Sequence, residues 1–313
     1  MHYIVKLAAQ TTTLLAIALT TGAVLAQSTR GSSAEMADLG RQHDSAWALF
    51  QALASEADGG GRLAEDNLPP WSGIYTRGRG RMDFDPDQLD DVLTSAVLTE
   101  EYQARFEETL RLRELGIEYD PLSTCSPPGY PRWLSEPFLR EFVVTPDQTW
   151  LMNEMINDVR RIYTDDRGHT PQGDRYPLYN GDSVGFWDGH KLVTHTNQLM
   201  AGQYQRAHPD HSDQIETVEI WEQIDDRNIE VDVWVYDPPA LAEPWHTRQL
   251  FTKLTDPEKR LRIRYWHCGE NQNNDTYTTE EGATQFTDFT FTAEDDQNDN
   301  PDDNSEGNSE DDK

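Results

Sequence analysis

Two short stretches of the chain concentrate groups that can hold or move a proton. In Ile162-Tyr163-Thr164-Asp165-Asp166-Arg167-Gly168-His169 a phenol, two carboxylates, a guanidinium and an imidazole fall within seven residues. In Trp266-His267-Cys268-Gly269-Glu270-Asn271 an imidazole, a carboxylate and an amide surround a cysteine. Imidazole titrates near neutral pH, so either cluster has the makings of a general acid–base centre. His169 or His267 would exchange the proton, with Asp165, Asp166 or Glu270 at its side. Tyr163, Arg167 and Asn271 would orient a bound molecule. Both stretches equally suit ordinary polar loops, because Asp, Asn and Gly are the residues that turns prefer.

Other candidate chemistry is thinner. Gly181-Asp182-Ser183-Val184-Gly185 matches G-x-S-x-G, but that elbow works only between a strand and a helix. Here Phe186 to Thr196 continues as a hairpin around Asp188-Gly189, so the glycines read as turn residues. No histidine belongs to H-x-H or HExxH. A strand-borne set of His195, His246 and His267 would suit a metal or acid–base catalysis if the fold joined them; surface or core roles are the simpler reading. Neither Cys125 nor Cys268 sits in a CxxC, so no metal or cofactor is expected. In an oxidising compartment these two cysteines favour one disulfide, which would contribute up to roughly 5 kcal/mol by closing a long loop.

The elements that must position these groups follow from hydrophobic spacing. Ala46, Leu49, Phe50 and Leu53 form a short helical stripe in an N-terminal segment, residues 27–70. Residues 87–115 read as helical, with Leu89, Val92, Leu93, Val97 and Leu98 at three- and four-residue spacing. A Pro-rich bend follows at Cys125-Ser-Pro-Pro-Gly-Tyr-Pro131. From Glu141 onward short β-rich runs alternate with turn residues. The runs are 142–145, 149–155, 159–164, 183–187, 191–199, 215–224, 228–236, 247–254, 261–268 and 284–292, with a further strand at Trp71-Ser-Gly-Ile-Tyr75. Links this short predict antiparallel neighbours. The expected fold is mainly β: an antiparallel meander closing into a lipocalin-like barrel, or a β-sandwich, over residues 71–293.

Within 228–236, Ile229, Val231, Val233 and Val235 share one face, opposite Asp232, Trp234 and Tyr236. Within 261–268, Arg262, Arg264 and Trp266 oppose Leu261, Ile263, Tyr265 and His267. The mixed aromatic and charged faces suit a solvated outer wall or a decorated cavity. On the cavity reading Trp187, Trp234, Tyr236 and Trp266 supply contact area to a ligand, and Arg262 and Arg264 fix its orientation.

Composition sets the compartment and the partners. The net charge of −31 repels nucleic acid and anionic lipid. Residues 1–26 read as a secretory signal: Lys6, an apolar and small-residue run, and Val24-Leu25-Ala26 as cleavage site. That run is shorter than the roughly 20 residues that span a bilayer, so after cleavage no membrane insertion is expected. Residues 294–313 carry ten acids and no large apolar side chain, and read as a disordered tail.

Cys125-Ser-Pro-Pro-Gly-Tyr-Pro-Arg, Arg161-Ile-Tyr-Thr-Asp-Asp-Arg-Gly-His and Gly181-Asp-Ser-Val-Gly-Phe-Trp-Asp-Gly-His together resemble a group of uncharacterised secreted bacterial proteins, from about Trp71 to Thr292. Where that group has Gly-Asp after the Trp turn, this chain has Gly189-His190. The resemblance implies export, periplasmic or secreted, and a single β-rich unit. Trp71-Ser-Gly-Ile-Tyr75 is also similar to the opening strand of lipocalin-like barrels. Three functions are compatible with these residues. They are a barrel that binds a small, partly apolar ligand, a periplasmic hydrolase, lyase or isomerase with acid–base residues at the barrel mouth, and an envelope interaction protein without a small-molecule site.

Overall fold

Side chains that alternate between an apolar and a polar face can bury one face only if the sheet finds a cover or curls onto itself, and this sheet curls. The computed structural model describes residues 31–57, 60–78, 96–205, 208–256, 258 and 260–268, and the backbone of 276–278 and 284–286. The signal-like residues 1–26, the acidic tail and the first part of the expected helix 87–115 lie outside the described residues.

The strands are β1 (Gly73–Arg77), β2 (Arg140–Val144), β3 (Gln148–Asn153), β4 (Val159–Tyr163), β5 (Asp182–Asp188) and β6 (Lys191–Asn197), then the short β7 (Gly202–Gln203) and β8 (Asp210–His211). They continue with β9 (Glu216–Gln223), β10 (Asn228–Tyr236) and β11 (Trp245–Lys253), and with β12 (Thr276–Thr278) and β13 (Thr284–Phe286). Nine of them close into a barrel in the order β1-β11-β10-β9-β6-β5-β4-β3-β2. β1 seals it, pairing Ile74 with Glu141 on one side and Thr76 with Thr252 on the other. The closed barrel agrees with the sequence pattern in all but one joint: β4 and β5 run parallel, with Ile162 beside Ser183.

The expected strand 261–268 does not form. Closure between β1 and β11 leaves no open edge for it. Instead the segment runs outside the barrel, where the amide of Asn157 pairs with both backbone groups of Trp266 at 2.9 Å. The ring of Phe138 meets Trp266 edge-on, and a disulfide joins Cys268 to Cys125.

Three α-helices stand among the described residues. α1 (Ser33–Arg41) is capped by Ser32 and Glu35 in a reciprocal box, and α2 (Ala46–Glu56) by Ser45. α3 (Glu100–Glu114) starts at Thr99, so residues 96–99 of the expected helix are not helical. α1 and α2 pack on the outer wall of β6, β9, β10 and β11. Gly40 lies against Trp234, where an added Cβ would come within 2.6 Å of the indole ring.

The barrel interior is filled. Trp71 packs on Trp187, Tyr75 on Phe142 and Trp221 on Phe251, at centroid separations of 5.2, 4.5 and 5.7 Å. The Pro-rich bend drives Tyr130, Trp133 and Leu134 into the same core, all fully buried. Arg140 anchors this plug, donating to the carbonyls of Trp133, Leu134, Glu136 and Phe138.

Deeper in, Arg160 makes a bidentate pair with Glu219 at 2.8 Å and bonds to Ser183 and Thr196. Glu219 also accepts from Thr217 and the Trp221 indole, and the Tyr130 ring lies 4.0 Å beneath the guanidinium. Burial opposes both charges. The mutual attraction outweighs it, holding the Glu219 carboxyl below its usual range and the Arg160 guanidinium above its own. Glu219→Ala is therefore expected to destabilise the fold by roughly 3–5 kcal/mol in urea unfolding, because it strands a buried cation. The double variant Arg160→Met/Glu219→Leu removes both charges and is expected to lose much less; a double variant as unstable as the single one contradicts this account.

Candidate functional site

The parallel joint shapes the site. β4 ends at Tyr163 and β5 must start level with Arg161, so the chain has to double back over the outside of β4 through residues 164–181. Gly181 makes the final turn at φ 63°, and a Cβ there would strike the Asn197 carbonyl at 2.5 Å. Between this crossover and the strands lies a cleft of about 590 Å³. Its floor is the outward face of β4 (Val159, Arg161 and Tyr163), and its walls include Arg167, Thr170, Tyr179, Asn180 and Asp182.

One wall of the cleft carries a hydrogen-bonded row of four ionisable groups. His169 on the crossover faces Asp182 of β5 through Nδ1 at 3.2 Å and His195 of β6 through Nε2 at 2.7 Å. The Nε2 of His195 then meets Glu216 of β9 at 3.1 Å. Asp182 accepts in addition from the Thr170 amide at 2.7 Å and from Gln198 at 3.2 Å. From α2, Trp47 stands edge-on over both imidazoles and Phe50 over His195. The row is thus roofed in the middle, while Glu216 reaches solvent with 36% of its side chain exposed.

Burial pushes His195 down from its ordinary value, against the pull of Glu216, which keeps this imidazole neutral at pH 7. A neutral His195 that donates from Nε2 to Glu216 accepts at Nδ1 from the Nε2–H of His169. Burial also works to raise Asp182, yet hydrogen bonds from His169 and Thr170 outweigh it and hold that carboxyl below its usual range.

The sequence-predicted residues divide sharply. His169, Tyr163 and Arg167 line the cleft. Asp165 is bound to Arg167 at 2.6 Å, and Asp166 is an exposed turn residue at φ 62°. His267, Arg262 and Arg264 are exposed on the strap outside the barrel, with Trp266 half-buried beside them; none of the four lines the cleft. Glu270 and Asn271 lie outside the described residues. Trp187 points into the barrel core. Trp234 and Tyr236 point outward but are buried under α1, donating to the carbonyls of Met36 and Gly40. These three aromatic residues are packing, not ligand wall.

Ser183 of the elbow-like motif also faces inward, bonded to Thr196 at 2.8 Å, with strand on both sides of it. His195, His246 and His267 do not converge: His246 pairs with Asp232 at 2.9 Å on the wall beneath α1. Asp182, Glu216 and Arg161 were missed. Hairpin counting from Asp188-Gly189 already sets Val184 opposite His195 and hence puts Asp182 on the same face. Nothing local predicts Glu216.

Among the described residues no group of three or more His, Cys, Asp and Glu side chains is arranged to hold a metal, and no helix is long and apolar enough to cross a membrane. No family model matches the chain, and no curated protein matches it significantly.

The His195 shift makes stability depend on pH. Because its folded value is depressed, its stabilising contribution is complete above the unfolded value of about 6.5 and is lost as pH falls from there toward the folded value. Fully buried His211, also depressed, acts in the same direction. Urea midpoints are expected to fall between about pH 7 and pH 5, and less steeply in His195→Gln than in wild type. Equal slopes would show that His195 does not titrate as described. In ¹⁵N-histidine NMR at neutral pH, His195 is expected as the Nε2–H tautomer.

Proposed function

We propose that this is an exported barrel protein that binds a small, partly apolar molecule in the cleft on its outer wall, beneath the β4–β5 crossover. The observation that carries the reading is the cleft itself: its 590 Å³ is of the size that takes a small ligand. Arginine, tyrosine and amide groups converge there with apolar wall, as in sites that bury a body and orient a polar head. The barrel interior, the usual location in lipocalin-like proteins, is packed with rings and the Arg160–Glu219 pair. Export is supported by the disulfide, which forms readily in an oxidising compartment.

Native mass spectrometry of protein purified from its source is expected to reveal one small molecule per chain. Val159→Trp, a strand-compatible change on the cleft floor, is expected to expel it. A ligand retained by that variant would place the site elsewhere.

The four-group row favours a second reading, acid–base catalysis on the bound molecule. Asp182 lines the cleft, and a proton taken there has a bonded path through His169 and His195 to exposed Glu216. Against a panel of model esters and keto acids, any turnover by wild type is expected to drop about 10²–10⁴-fold in His169→Gln. Turnover that survives the change rules this reading out.

A further inference from the structure

Arg161 sits in the middle of the cleft floor, exposed, with its guanidinium 4.5 Å over the Trp150 ring. Among the described residues no carboxylate pairs with it. The other charges that line the cleft are already matched. Arg167 is held by Asp165 and lies 3.9 Å over Tyr163, while Asp182 is engaged by His169, Thr170 and Gln198. The local charge offered to a ligand is therefore positive, on a chain whose net charge is −31.

A protein so acidic draws cations to its surface at long range. At contact distance, however, a planar guanidinium seated over an indole ring can present two parallel donors, which match a carboxylate. Flanking Val159 and Tyr179, both substantially exposed, offer apolar and aromatic surface to the rest of the molecule.

We infer that the cleft selects a small carboxylate with an aromatic or otherwise apolar body, Arg161 gripping the carboxylate and Tyr179 and Val159 packing on the body. This rests on the reading of the cleft as a binding site. Arg161 is exposed, with its guanidinium over Trp150, so Arg161→Gln is expected to leave the fold intact, which an unchanged melting temperature checks.

The test titrates the mature chain with benzoate, benzamide and benzylamine, which share a ring and differ in head-group charge, following the amides of Thr170, Asn180 and Gly181 by NMR. Benzoate is expected to shift these amides and to bind at least about tenfold more tightly than benzamide, a difference of about 1.4 kcal/mol. Arg161→Gln is expected to abolish that preference, and added salt to weaken it. Benzamide binding as well as benzoate, or a preference that survives Arg161→Gln, overturns the carboxylate grip and leaves the cleft as a binding site. Tightest binding by benzylamine overturns the inferred charge in the same way. If none of the three moves the cleft amides up to tens of millimolar, both the inference and the cleft reading fall.

Discussion

A barrel of nine strands cannot close with every neighbour antiparallel, because an odd count brings one pair into the same direction. In this chain that joint falls between β4 and β5. Antiparallel neighbours such as β2–β3, β3–β4, β5–β6 and β9–β10 are linked by a few residues, but a parallel pair demands a return crossing. The return is residues 164–181, and it has nowhere to run except over the outer face of β4. The cleft, the placement of His169 and the exposure of the β4 outward side chains all follow from this one topological requirement. The chemically rich Tyr163-to-His169 stretch is the first half of that crossing.

The interior answers the same joint from the other side. Arg160 on β4 reaches Ser183 on β5, Thr196 on β6 and Glu219 on β9, so one guanidinium bonds to the three strands next to β4 in the barrel order on the side of the parallel joint. A short parallel ladder contributes few backbone bonds, and this buried side-chain network reinforces it where it is weakest. The plug of Tyr130, Trp133 and Leu134 then fills the remaining volume with packed rings. What would be a calyx in an open barrel is a solid core, and the cleft lies on the outer wall instead.

Much of this could be read from residue order alone. Alternation in 228–236 put Ile229, Val231, Val233 and Val235 inside correctly, and the Ala46, Leu49, Phe50 spacing identified the helix that roofs the histidines. The failures share a physical cause. The pattern of 261–268 is strand-like, but whether a strand forms depends on an available edge, a property of the closed sheet. Trp187, Trp234 and Tyr236 were expected around a ligand because ring content does not reveal which side of a wall is covered by helices. His169 was found because its cluster is local. Its partners His195 and Glu216 come from strands that register, set by long-range pairing, brings alongside.

The Cys125–Cys268 bond spans 143 residues and ties the bend that leads into the plug to the strap that follows β11. The two attachment points flank nearly the whole barrel sequence, so the chain between them is a covalent ring. A protease that cuts the exposed strap between Lys253 and Cys268 would open this ring without freeing either piece. The distal chain would stay leashed to the plug until a reductant reached the sulfurs, and in an extracellular setting rich in proteases a single backbone cut would leave the barrel in one piece.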